Sequence, residues 1–248
     1  MEIVSDRSLN TPDSARAEVV AATKAMIPLI IGAAPFGVIF GTLAAASGLS
    51  FMGALAMSAF VFAGSAQFIA VGLIAAGTPW LIIVATTFVV NLRHMLYSAS
   101  LLPYVKHLSQ WWLIPLAFFL TDEAFVVVIA RYEQSDRSIN KHWYYLGAAV
   151  AMYINWQIWT FVGLTVGQLF PNIAAWGLDF AMPVTFIGMI IPYLISWPMV
   201  SAVVVAGLVS MLAYELPHQL GLMVATIAGI VTGLFLELTG SKKGVKAP

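Results

Sequence analysis

Arg93, His94 and Tyr97, together with Asp122 and Glu123, are the residues best placed to do chemistry, because each is an ionisable group set in a long apolar run. An isolated charge at the centre of a bilayer costs at least ~2.5–3.5 kcal/mol, so such residues mark a substrate path, a proton relay or a paired charge. On a helix Tyr97 falls roughly 40° from Arg93 and His94 roughly 100°, giving one polar stripe, whereas Asn91 points roughly 160° away. Asp122 and Glu123 are themselves roughly 100° apart, so one faces the pathway while the other is a structural partner or is protonated, and the sequence leaves open which. Counted at 1.5 Å per residue from Pro103 and Trp112, all three charges lie roughly 15 Å below the outer boundary, about half of the hydrocarbon thickness. Equal depth on an antiparallel pair of spans permits an Arg93–carboxylate ion pair, whose alternative reading is a purely structural fixing of helix packing. A further cluster is Phe62-Ala63-Gly64-Ser65-Ala66-Gln67-Phe68. Gly64 and Ser65 in mid-span let a helix unwind, and freed N–H groups could hold a carboxylate; the alternative is a close-packed helix with Gln67 bonded to a neighbour.

The elements that must position these groups are membrane helices. Of 248 residues, 61% are hydrophobic and 9% charged, where a soluble domain carries about 25% charged residues. Eleven basic and eleven acidic residues cancel, which leaves no basic excess for a nucleic-acid partner. The chain contains no cysteine, and His94, His107, His142 and His218 never fall at a metal-ligand spacing. Neither a metal nor a cofactor is expected.

From Ala25 to Leu92 no side chain is charged, and one span needs only about 20 residues. Turn-forming clusters at Ser47-Gly48-Leu49-Ser50 and Gly77-Thr78-Pro79 divide the run. The expected fold is all-α, a polytopic integral membrane bundle of about eight helices, with seven as the alternative. The spans fall at 25–47, 53–76, 80–103, 112–130, 143–169, 176–196, 198–214 and 219–237, between a cytoplasmic tail (1–24) and a basic C-terminal tail (239–248). Lysine and arginine are retained in cytoplasmic loops. An even count puts Arg7, Arg16, Lys24, Arg131, Arg137, Lys141, Lys242, Lys243 and Lys246 inside with both termini, and only Lys106 outside. Trp111, Trp112, Trp143, Tyr144 and Tyr145 fall where interfacial anchors are expected. Gly37 with Gly41, Gly163 with Gly167, and Gly229 with Gly233 suit close helix packing. Asn155, Gln157 and Thr160 suit interhelical hydrogen bonds, and Asp179 an outer interface. A weak likeness between Gly41–Phe62 and Gly167–Phe186 raises an internal repeat, a common transporter device.

Four ordered motifs end the sequence's anonymity: Phe62-Ala63-Gly64-Ser65-Ala66-Gln67-Phe68, Asn91-Leu92-Arg93-His94-Met95-Leu96-Tyr97-Ser98, Leu120-Thr121-Asp122-Glu123-Ala124-Phe125 and Leu178-Asp179-Phe180-Ala181-Met182-Pro183. Together they resemble the AzlC family, large subunits of branched-chain amino acid exporters, over about Ala25 to Leu238. The resemblance implies export of valine, leucine, isoleucine and sometimes methionine across a bacterial cytoplasmic (inner) membrane, in company with a small membrane subunit of the AzlD type. The polar groups at mid-depth within these motifs, Gly64, Ser65, Gln67, Arg93, His94, Tyr97, Asp122 and Glu123, are the candidate substrate-binding or coupling residues. One departure is that Ala66 stands where the family often has Ser directly before the Gln, and Ser65 comes one position earlier. That moves a hydroxyl by roughly 100° around a helix and bears on substrate preference.

Two other classes compete. An intramembrane enzyme would need Ser65 or Ser98 with His94, or the Asp122-Glu123 pair, but no serine sits in a strained Gly-x-Ser-x-Gly turn and the adjacent acids diverge. A non-transporting assembly subunit would use the ion pair structurally. The zwitterion of an amino acid fits the inventory best, because its two charges both need partners in a low-dielectric site.

Overall fold

A computed structural model of the chain describes residues 14–134, 138–166, 187, 191, 194–216 and 220–241, and every regular element among them is helical. Most of the span expected at 176–196, the Leu178–Pro183 motif with Asp179, Gly167, the second half of the suggested repeat (Gly167–Phe186) and Lys242, Lys243 and Lys246 lie outside the described residues. Among the described residues three helical stretches are long and apolar enough to cross a bilayer: α1 (Ala15–Ala46), the stretch Trp80–Val105, and α8 (Lys141–Val166). The second consists of α4 (Trp80–Asn91) and α5 (Arg93–Val105), joined at Leu92.

The bundle is organised around α1 and α8. Ser14 starts α1 by accepting a hydrogen bond from Ala17 N at 3.2 Å, so the helix begins ten residues earlier than its expected span. It is 32 residues long, about 48 Å at 1.5 Å per residue, so its first turns reach beyond the hydrocarbon core. The two helices run parallel. A Cβ added to Gly147 would meet Val19, one at Gly37 would lie 3.3 Å from Thr160 N, and one at Gly41 would lie 2.7 Å from Leu164 N. The Asn155 amide donates to the Ile30 carbonyl at 3.3 Å, and the Thr42 hydroxyl to that of Gly163 at 3.3 Å. The glycines thus serve backbone approach, as expected of Gly37, Gly41 and Gly163. The same holds for α9 (Trp197–Leu212) against α10 (Leu220–Ser241), where Gly229 and Gly233 face Ala206 and Ala202.

The segments expected as spans 53–76 and 112–130 are not single helices. Each is a pair of shorter ones, α2 (Phe51–Val61) with α3 (Gly64–Ala75), and α6 (Gln110–Phe118) with α7 (Asp122–Tyr132). Each pair turns back at mid-depth. Along α2, Phe51 packs on Phe161, Ser58 on Thr160 and Phe62 on Tyr153, so α2 descends antiparallel to α8 from the far end, where α1 finishes. After Phe62-Ala63 the chain reverses: Gly64 lies against Trp156, and Phe68 lies against Phe40, back toward the far end. Phe62 has φ 30° and ψ 50°, a left-handed conformation costly for an aromatic residue. Its buried ring, 4.8 Å from Tyr153, holds it there.

The second pair mirrors the first from the near end, where α1 begins. Trp112 packs on His142 and Trp143, and Phe119 on Tyr153, so α6 ascends beside α8. Then α7 returns from Asp122 to Arg131 and Tyr132, beside Tyr144 and Glu18. Consequently α5 and α7 run parallel, with Tyr97 stacked on Phe125 and Tyr104 on Tyr132. The antiparallel arrangement expected for these segments is corrected, and so is the position of Lys106, whose turn lies at the near end with Tyr132 and Lys141. Among the described residues every Lys and Arg except Arg93 lies at that end. Tyr144 and Tyr145, expected as interfacial anchors, are instead buried.

Candidate functional site

The two re-entrant hairpins bring the starts of α3 and α7 face to face. Their first residues, Gly64 and Ser65 on one side and Thr121, Asp122 and Glu123 on the other, line one central cavity with Arg93 and His94 of α5. Ala33, Phe36, Met152 and Trp156 close it from the α1–α8 side, and Phe62 and Ala63 from the reversal point. Six of the eight candidate residues, Gly64, Ser65, Arg93, His94, Asp122 and Glu123, therefore meet at one place.

Arg93 reaches Asp122 as expected, with Nη1 2.8 Å from Oδ2. The Tyr97 hydroxyl donates to the other oxygen of the same carboxylate at 2.5 Å, so Tyr97 stands behind the cavity wall and orients Asp122. Asp122 is thereby held by two partners, while Glu123, which lines the cavity beside it, makes no ion pair among the described residues. The His94 Nδ1 donates to the Asn91 carbonyl at 3.1 Å, which fixes the tautomer and leaves Nε2 as the acceptor of the neutral ring. His94 and Tyr97 also touch edge to face, with ring centres 5.9 Å apart.

The two half-helix starts are chemically opposite. On α7 the Thr121 side chain caps the helix by accepting from Ala124 N at 3.2 Å, and Asp122 and Glu123 fill the first turn with negative charge. Both choices suit the positive end of a helix dipole. On α3 the N-cap is Ala63, which offers no side-chain acceptor, so the N–H groups of the first turn are uncapped beside the cavity. An uncapped helix start attracts an anion. Three buried polar atoms of lining residues also have no hydrogen-bond partner: Ser65 Oγ, Arg93 Nε and Trp156 Nε1. A buried polar group left unmade costs about 1–3 kcal/mol, so these atoms favour a polar occupant.

Gln67, a candidate site residue, does not line the cavity. It is fully buried one turn into α3, and neither amide atom is bonded, so the alternative of a bond to a neighbour is not met either. Asn155, Gln157 and Thr160 do bond between helices: Gln157 donates to the Ser58 carbonyl at 3.0 Å, and the Thr160 and Ser58 hydroxyls lie 3.0 Å apart. Two lining residues whose side chains carry a polar atom, Thr121 and Trp156, went unrecognised in the sequence. Thr121 carries the signal of a helix start, a Thr followed by two acids, and Trp156 stands at mid-span rather than at the interface where Trp is usually enriched.

Residues 28–170 match the family described as AzlC protein. The chain is 28% identical over 222 residues to the inner membrane protein YgaZ of Escherichia coli, covering 87% of each chain. It is 25% identical over 191 residues to the branched-chain amino acid transport protein AzlC of Bacillus subtilis, covering 74% of this chain and 72% of that one. An uncharacterized membrane protein of Archaeoglobus fulgidus is 29% identical over 210 residues, which is 82% of this chain and 88% of the relative. No solved structure matches. The family match spans more than half of the chain and includes every residue of the cavity, and the chain belongs to the AzlC family.

Proposed function

We propose that this chain is the large subunit of an inner-membrane transporter that exports small hydrophobic amino acids, with valine, leucine, isoleucine and methionine as the substrate class. The observation that carries the reading is the facing pair of half-helix starts, one uncapped and one acidic, across a cavity with an apolar wall. Discontinuous helices with a site at mid-depth are a transporter device. In this reading the substrate carboxylate takes the free N–H groups at Gly64 and Ser65. Its ammonium takes Glu123, and the side chain lies on Phe36, Met152 and Trp156. Arg93 keeps Asp122 in place and is not spent on the substrate.

The cavity volume of about 40 Å³ holds roughly three waters. Admitting an amino acid therefore requires one hairpin to move away, and alternate movement of the two would expose the site to each side in turn. The near end faces the cytoplasm in this reading, because that end retains the basic residues. The reading includes coupling to an ion and, as the sequence resemblance implies, a small AzlD-like membrane partner.

The test is efflux of preloaded valine or leucine from liposomes holding the chain with and without a small partner. Glu123→Gln, inserted at normal level, is expected to lose at least about 90% of efflux, since one charged partner of a buried zwitterion is worth over tenfold. Lys106→Gln, on an exposed turn, should leave efflux unchanged. Wild-type efflux by Glu123→Gln would refute the site, and no efflux by the wild-type pair would favour an assembly role.

A further inference from the structure

A second charged pair is buried in the chain, and the central site does not use it. Glu18, in the first turn of α1, is fully buried, and Arg131, at the end of α7, is 5% exposed. Arg131 donates twice to the carboxylate, from Nη2 to Oε1 at 2.6 Å and from Nε to Oε2 at 3.2 Å. The Ser138 hydroxyl donates to Oε1 at 2.6 Å, and Arg131 Nη1 donates to the Gln134 side chain at 3.3 Å. Tyr144 lies under the guanidinium, 5.7 Å away, and Tyr132, the next residue in the chain, is buried.

The geometry points to a latch: the Glu18–Arg131 pair holds the re-entrant α6–α7 hairpin shut against α1 and closes the central cavity toward the near end. This rests on the transport reading above. Three observations carry it. The hairpin's tip supplies Thr121, with Asp122 and Glu123 just after it, to the cavity wall, and both its ends lie at the near end, so it can swing outward without unthreading. Between cavity and near end, α7 packs Ala124, Val128 and Ile129 into the core, so its departure alone would open a route. Finally, Glu18 lies in the first turn of α1, ahead of the uncharged run that begins at Ala25. A buried ion pair adds little net stability over an apolar contact, but here both charges regain water when separated. They therefore form a contact that can be made and broken. The far-end hairpin is held differently, by the neutral bonds of Ser58 and Ala59 to Thr160, Gln157 and Tyr153.

The chain contains no cysteine, so Ser65→Cys on the cavity wall reports access through its reaction with a membrane-impermeant thiol reagent applied to either face of oriented vesicles. Adding Glu18→Gln should raise the labelling rate from the near-end face by roughly tenfold or more, the worth of a charge-assisted bond, and leave the far-end rate unchanged. Ser138→Ala should move it in the same direction by less, which keeps a readout if Glu18→Gln fails to insert. The exchange Glu18→Arg with Arg131→Glu should return the rate toward that of the Ser65→Cys parent. Unchanged labelling in both Glu18→Gln and Ser138→Ala, or an equal rise from both faces, would overturn the latch. Failure of efflux with intact, latch-dependent labelling would instead count against the transport reading alone.

Discussion

At the scale of residues, Asp122 is the centre of the site's scaffold, because Arg93 and Tyr97 both bond it. Removing either charge leaves the other buried and unpaired, whereas removing both leaves neutral groups that tolerate each other. Arg93→Gln and Asp122→Asn should each lower stability by about 1–3 kcal/mol, and the double variant should lose at least about 1 kcal/mol less than their sum. Thermal unfolding in detergent measures the cycle, and strict additivity would show that the pair does no structural work. The pair was legible in the sequence because a charge in an uncharged run must find a partner at its own depth. Glu18 and Arg131 were not legible. They lie at the ends of their helices, where a charge costs little, and nothing in a sequence distinguishes a solvated end from one that is folded inward. Likewise the pairing of Arg93 and Tyr97 with Asp122 in place of Glu123 needed the packing of α5 along α7.

At the scale of elements, hydropathy measures length of apolar chain and not direction, so two half-helices joined at mid-depth read as one span. The first reversal was half legible through Gly64, though the chain turns just before it, at Phe62, in a left-handed conformation for which no glycine is provided. The second has neither glycine nor proline at Phe119-Leu120-Thr121, and its only sign is the Thr121 cap. Phe62 gives a test that separates backbone from side chain. Phe62→Ala loses the ring packed on Tyr153 and keeps the left-handed strain, while Phe62→Gly loses the same ring and relieves it. Glycine should therefore be the milder change by about 1 kcal/mol, reversing its usual order against alanine. Equal or greater loss with glycine in thermal unfolding would mean that the reversal is not strained. For the α1–α8 contact, Gly163→Ala would drive a methyl group into the Val38 backbone and should lower the yield of folded protein, whereas Gly240→Ala meets nothing within 4 Å and should not. Comparing monodisperse yield of the two variants measures this, and equal yields would count against the glycine interface.

At the scale of the whole molecule, the hairpins make the first part of the chain an inverted pair of units: a crossing helix followed by a hairpin that enters from the side just reached. In the first unit α1 is followed by α2 and α3, and in the second α4–α5 is followed by α6 and α7. This relation differs from the suggested likeness of Gly41–Phe62 to Gly167–Phe186, and it explains the distribution of charge. With both hairpins as single crossings, Lys106 would be the one basic residue on the outer side; with hairpins it joins Arg16, Lys24, Arg131 and Lys141 on one side, as positive-inside retention favours. The two topologies differ at one measurable place. In the cysteine-free chain, His107→Cys and Glu133→Cys, both exposed, should react with an impermeant thiol reagent from the same membrane face, and Ala76→Cys, in the exposed turn after α3, from the opposite one. A crossing segment between residues 107 and 133 would instead put those two labels on opposite faces, and then 107 would share its face with 76 only if Trp80–Val105 also failed to cross. Because Glu133 follows the latch residue Arg131 in the chain, its labelling face also fixes which compartment the α6–α7 hairpin opens to. Labelling of 133 from the cytoplasm together with 107 gives a hairpin that releases cytoplasmic amino acid into the site, the direction an exporter needs.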